Sequence, residues 1–216
     1  MLLSNEWYPA LDAPNVELVS QGVEEVREKS LVAADGTEYP ADTIVFATGF
    51  TPTDPPIAKR LRGRAGATLA EVWQGSPQSY LSTTVAGFPN LFLLYGPNSN
   101  LGHNSIVYML ESQMNYVMGA LKAMRELGHN ALEVRPEVQD AFNEEMQSRL
   151  ARSVWDAGGC GSWYLDEHGR DSTMWPGFTY EFRQRTRTFD LDSYVEPPVV
   201  SSMAEATVSG ASNVGM

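Results

Sequence analysis

The chain is short of cysteine, histidine and positive charge. Its single cysteine, Cys160, excludes an internal disulfide and fits a reducing compartment. Of its three histidines, His103 has no cysteine or carboxylate at ligand spacing, which speaks against a zinc site, and no metal is expected. Lys and Arg number 15 against 27 Asp and Glu, a formal net charge of −12, so a nucleic-acid partner, which needs a clustered basic surface, is not expected. No apolar run is long enough to span a bilayer, and the N-terminus lacks the basic-then-apolar pattern of a signal peptide. A transmembrane segment is therefore not expected, and a cytoplasmic location is. No Gly-x-Gly-x-x-Gly occurs anywhere, so the tight turn that cradles a dinucleotide pyrophosphate is not encoded.

What remains is a globular composition. Hydrophobic residues make up 43% of 216 residues, enough for one large domain or two small ones. The first forty-odd residues read as short strands and turns, with Asp35-Gly36 a turn signal after Leu31-Val32. Ile44-Val45-Phe46-Ala47 is apolar and β-prone, which predicts a central strand buried on both faces and ended by Thr48-Gly49-Phe50. Residues 51 to 85 are punctuated by Pro52, Pro55, Pro56, Gly63, Gly66 and Gly75 and read as irregular. Leu91 to Tyr95 reads as a second buried strand, neighbour to the first. It runs into Gly96-Pro97-Asn98-Ser99-Asn100-Leu101-Gly102-His103-Asn104-Ser105.

From Ser105 to Leu127 the pattern turns helical. Ile106, Met109, Leu110, Met114, Val117, Leu121, Met124 and Leu127 recur at spacings that give one apolar stripe. Asn104 or Ser105 is the expected N-cap and Gly128 the terminator. A second helix opens at Pro136 and carries Val138, Phe142, Met146 and Leu150. Gly158-Gly159-Cys160-Gly161 breaks the pattern. Residues 162 to 190 are aromatic-rich and read as strand or loop, and the small polar residues at the C-terminus as a disordered tail.

A strand–loop–helix junction of this kind brings unpaired backbone N–H groups to the open end of a helix, where an anionic or polarised group docks. The Gly87 to Ser105 block resembles, nearly residue for residue, a segment of the class B flavin-dependent monooxygenases: the Baeyer–Villiger monooxygenases and the flavin-containing monooxygenases. Three further blocks share the resemblance. Asp42 to Phe50 looks like the family's strand motif where the nicotinamide-nucleotide domain rejoins the flavin domain. Taken alone it is equally an ordinary strand ending at glycine. Ser162-Trp163-Tyr164 resembles a loop that folds over the bound nicotinamide nucleotide, with core or interface packing of the two aromatics as the alternative. Trp175-Pro176-Gly177-Phe178-Thr179, with Arg183, Arg185 and Arg187, resembles the C-terminal end of one subgroup. Its alternating arginines suggest a solvated edge strand guarded by charge.

The resemblance implies an α/β chain that is an incomplete two-dinucleotide-binding-domain flavoprotein fold, its C-terminal portion with a partial FAD domain. Residues 1–40 would be the end of the nucleotide (NADP) domain insertion, 41–195 the C-terminal part of the FAD/substrate domain, and 196–216 the disordered tail. The implied cofactors are FAD and NADPH, with the chain alone binding them weakly or not at all. The implied partners are O2 and a ketone, amine or sulfide, with a missing N-terminal portion. The implied cofactor-binding residues are Thr48, Gly49, Gly96, Pro97, Asn98, Gly102, His103, Asn104, Ser105, Ile106 and Trp163, and no catalytic residue is singled out. A lone loop histidine such as His103 is equally a hydrogen-bonding surface group. The helix dipole at Asn104, Ser105 and Ile106 would stabilise negative charge on reduced flavin by about 0.3–2 kcal/mol. The alternative reading is a non-catalytic remnant or interaction module without cofactor.

Overall fold

The computed structural model describes residues 4–47, 52–158 and 162–197. The chain divides into two compact units, Met1–Phe50 and Thr51–Met216.

The first unit holds a short helix, α1 (Trp7–Leu11), and a three-stranded antiparallel sheet of β1 (Val23–Val26), β2 (Ser30–Ala33) and β3 (Glu38–Pro40), in that spatial order. The expected Asp35-Gly36 turn joins β2 to β3. Gly36 takes φ 85, a left-handed value that suits glycine, and Asp35 Oδ1 accepts the Thr37 N–H at 2.9 Å. Arg27 ties β1 to β3 by pairing with Glu25 and Glu38, each at 2.9 Å. The expected central strand over 44–47 does not form. Val45 and Phe46 are 82% and 79% exposed. Strand structure belongs to a pair of segments and not to one sequence, and no described residue offers 44–47 a ladder.

The second unit opens with a 3-10 turn at Pro56–Lys59 and a helix, α2 (Leu69–Trp73). This helix, absent from the sequence reading, starts on a complete capping box: Glu71 N–H donates to Thr68 Oγ1, and Thr68 N–H to Glu71 Oε2. Leu69 and Trp73 pack with Ala58, Val85 and Phe88 in a small core. Leu91–Tyr95 is not a strand either. Leu93 N–H bonds the Thr83 carbonyl at 2.7 Å, and Tyr95 takes φ 60, which no ladder tolerates.

Two long helices agree with the sequence. The first, α3 (Ile106–Leu127), ends at Gly128 with φ 70, whose N–H bonds the Met124 carbonyl. Ser105 occupies its N-cap position without making a side-chain cap bond. A two-stranded antiparallel ladder of β4 (Glu133–Val134) and β5 (Tyr194–Val195) brings the C-terminal segment back, and α4 (Pro136–Leu150) follows β4 at once with Pro136 in its first turn. Two shorter helices complete the unit, α5 (Val154–Ala157) and α6 (Thr179–Arg185). The main core gathers Met109 and Tyr116 of α3, Phe142 and Met146 of α4, Phe182 of α6, and Trp175 and Tyr194. Each fully buried large side chain there contributes about 1.5–3 kcal/mol.

Helix α6 corrects the expected arginine edge strand. Arg183 and Arg185 leave a helix, where one lies over the Tyr108 ring at 3.5 Å and bonds Glu111, while the other pairs with Glu145 and Glu181. The side of α3 turned to the core is also not the expected stripe. It carries Met109, Ser112, Gln113, Tyr116 and Ala120, whereas Met114 and Leu121 remain 46% exposed each.

Candidate functional site

Within the second unit the segment after Leu91 is held in place by one polar side chain of α3. Gln113 is 0% exposed. Its Oε1 accepts the Tyr95 N–H at 3.0 Å, and its Nε2 donates to the Ser82 carbonyl at 2.6 Å. Gly96 follows, and a Cβ there would run into the Ser82 carbonyl, so the close approach of the two backbones requires glycine. Asn98 takes φ 57 and is buried. Its Nδ2 donates to the carbonyls of Asp171 and Met174, and its N–H to Ser172, while its Oδ1 has no partner among the described residues. Asn100 bridges to Met174 in parallel register. The loop is thereby sewn to residues 171–175.

This arrangement leaves a mostly apolar cavity of about 350 Å³. Gly96, Pro97 and Trp163, three of the expected site residues, line it together with Pro55, Ile57, Leu69, Trp73, Tyr95 and Asn100. The Tyr95 hydroxyl donates to Asn100 Oδ1 at 3.0 Å, and burial, with Tyr164 nearby, raises its pKa above the ordinary phenol value. Trp163 is 56% exposed and leans on Tyr164, ring centroids 4.2 Å apart, so it is not a core aromatic. The larger grooves, of about 670 and 680 Å³, run beside α3 and Arg187 and hold none of the expected site residues.

The remaining expected residues lie elsewhere in the unit. Gly102 sits against Trp155, where a Cβ would come within 2.5 Å of the indole. His103 is exposed, packs edge-on to Phe178 at 6.0 Å, and lines a separate cleft with Arg149, Trp155 and Trp175. Asn104 Nδ2 donates to Thr179 Oγ1 at 2.8 Å, tying the start of α3 to the start of α6. Ser105 is exposed and Ile106 half-buried against the core. The backbone N–H groups of Ile106 and Val107 have no partner among the described residues, so α3 presents an open positive end. Thr48 and Gly49 fall outside the described residues, as do Cys160 and the expected tail beyond Pro197.

Sequence reasoning missed Gln113 and Asp171. Asp171 is 0% exposed, its Oδ1 accepts the N–H groups of Thr173 and Met174 at 2.9 Å, and its Oδ2 has no partner among the described residues. Burial raises its pKa above the ordinary carboxyl value, and the nearby Asp156 and Asp166 push the same way. Asp171 lies in a loop that leaves no periodic trace in the sequence, and Gln113 lies on a helix side that a hydrophobic count passes over.

Curated proteins match most of the chain, two of them at about half identity. A Baeyer–Villiger monooxygenase of Streptomyces coelicolor is 51% identical over 195 residues, covering 90% of this chain and 38% of that protein. A Baeyer–Villiger monooxygenase of Pseudomonas aeruginosa is 48% identical, covering 90% of this chain and 37% of that protein. The chain is a part-length relative of the Baeyer–Villiger monooxygenases. It spans little more than a third of the length of the curated relatives it matches. Its fold is correspondingly part of theirs. The solved cyclohexanone monooxygenase of Rhodococcus sp. Phi1, bound to NADP+, superimposes with a TM-score of 0.72 at 27% identity, over 85% of this chain and 35% of that one. No protein-family model matches the chain. Among the described residues no helix is long and apolar enough to cross a membrane.

Proposed function

We propose that this chain is the C-terminal part of a cytoplasmic FAD- and NADPH-dependent monooxygenase that places one oxygen atom from O2 into a ketone, or onto nitrogen or sulfur. The observation that carries the reading is the joining of Gly96, Pro97 and Trp163 around one apolar cavity, in a chain half identical to a Baeyer–Villiger monooxygenase. When bound, FAD supplies the activation of O2 and NADPH the reducing equivalents. The residues present fit one end of a flavin. The open N–H groups of Ile106 and Val107 suit the pyrimidine carbonyl, and the α3 dipole favours negative charge there. The Trp163 indole N–H, a single donor, suits a ribose or amide oxygen of the nicotinamide nucleotide. The apolar walls at Pro55, Ile57 and Leu69 exclude water from the reacting space. The pyrophosphate turn has no counterpart in the sequence, so the chain alone binds FAD weakly or not at all. That same lack favours the alternative of a non-catalytic remnant.

A chimera separates the two readings. The 195-residue match in the Streptomyces relative is replaced by this chain. The monooxygenase reading expects a yellow protein that oxidises NADPH. In it, Trp163→Ala should raise the NADPH requirement about tenfold, the loss of roughly one hydrogen bond to the nucleotide, and divert more reducing equivalents to hydrogen peroxide. A colourless chimera supports the remnant. A yellow one whose NADPH affinity and coupling ignore Trp163→Ala assigns Trp163 to packing alone.

A further inference from the structure

Leu81, Ser82 and Tyr95 take φ values of 48, 55 and 60. Left-handed backbone crowds Cβ against the following carbonyl oxygen, and only Gly, and less often Asn or Asp, visits it routinely. Strain of this kind persists only where the surroundings over-determine it, and it gathers at ligand sites. Here one carboxamide spans both strained turns. Gln113 Nε2 donates to the Ser82 carbonyl at 2.6 Å, with Thr83 Oγ1 at 3.3 Å and the Leu93 carbonyl at 3.4 Å, while its Oε1 accepts the Tyr95 N–H at 3.0 Å. That Ser82 carbonyl is also the atom a Cβ on Gly96 would strike. Tyr95 is half-exposed, so packing of its ring does not fix it; its bond to Gln113 and its hydroxyl's bond to Asn100 do. Leu93, Tyr95 and Gly96 line the apolar cavity, and Gln113 does not.

We propose that Gln113 is a positioning residue for this cavity. It holds Tyr95 and Gly96 in the strained arrangement, so the wall they form is built before a small apolar ketone enters. The chemistry of the ligand rests on the monooxygenase reading above; the clamp does not. A carboxamide suits the role because one planar group carries both a donor and an acceptor. Buried at 0% exposure, it meets no water that competes for either bond. Without the clamp, Tyr95 relaxes toward the extended backbone that a residue with a Cβ prefers. The wall then moves away from the Ser82 carbonyl, and fewer molecules hold a formed cavity at any moment. Apparent affinity falls in proportion to that fraction.

The test is a titration of the full chain with cyclohexanone, followed by the NMR signals of the Tyr95 and Gly96 amides. In the unaltered chain both should shift to saturation, and the Tyr95 HN–Hα coupling, which reports φ, should stay the same throughout. Gln113→Met, which keeps the volume and removes both bonds, should weaken binding about tenfold as the formed fraction falls. In a Tyr95→Gly background, where left-handed backbone is adopted freely, the same change should weaken binding less than about twofold. A side chain that only stabilised the fold would lower affinity by one factor in both backgrounds. That equal loss would overturn the proposal, as would unchanged binding by the Gln113→Met chain. So would a Tyr95 coupling that changes on binding, or the absence of any shift at Tyr95 and Gly96; both are read on the unaltered chain and do not depend on a variant folding. The chimera is read separately: unequal losses in the two backgrounds, with a chimera that makes no oxygenated product, uphold the clamp and count against the monooxygenase reading.

Discussion

Asp171 lies at the join between the cavity loop and residues 171–175, and its two oxygens differ. Oδ1 holds the Thr173 and Met174 N–H groups, while Oδ2 is buried without a partner among the described residues. Its raised pKa means that the ionised form is penalised in the folded state. The penalty is absent below the unfolded carboxyl value, where both states are protonated, and fully present above the folded value. Asp171→Asn keeps the Oδ1 acceptor and removes the charge. It should stabilise the protein at pH 7, because removing the penalty on the buried charge outweighs leaving the Asn Nδ2 without a partner in place of Oδ2. The gain should shrink as pH falls toward the ordinary carboxyl value. Denaturant melts of both proteins across pH 4 to 8 check this, and an unchanged or lowered midpoint at pH 7 would count against it. Gly96 and Trp163 were legible in the sequence because a motif named them. Asn98 was named by the same motif, though nothing in the sequence showed that its side chain would bind backbone carbonyls some seventy residues away; Asp171 was not legible, because the N–H groups its Oδ1 holds are two and three residues on, in a loop without a period.

At the level of elements, α3 and α4 were legible because each has a punctuated end, Gly128 for one and Pro136 for the other, and a helical period between. The strands over 44–47 and 91–95 were not, because apolar β-prone sequence shows only that a segment suits a sheet. Helix α6 escaped because only Thr179 and Phe182 of its seven residues are buried, too few for a period to show. The face of α3 was misread for a related reason: its core side includes Ser112 and Gln113, which a hydrophobic count passes over. Gln113 is nevertheless what joins α3 to the loop. Gln113→Ala should cost about 1–3 kcal/mol by leaving the Tyr95 N–H and the Ser82 carbonyl without their partner. Amide hydrogen exchange should speed up at Leu93 and Tyr95 more than within α4. Equal acceleration everywhere would show a global loss of stability and no special tie.

Across the whole molecule, the chain carries the apolar walls, the open end of α3 and the Trp163 loop, and its sequence holds no pyrophosphate turn. The chain spans just over a third of the length of its curated relatives. The central claim, that these parts belong to an oxygen-inserting site, is tested most directly by isotope. The chimera carrying this chain in place of the matched segment is supplied with NADPH, a small cyclic ketone and ¹⁸O₂, and the product is weighed by mass spectrometry. The expected product is a lactone heavier by one ¹⁸O atom. A flavin-bound chimera that consumes NADPH and O2 yet returns unlabelled ketone with every ketone, amine and sulfide offered would contradict the claim.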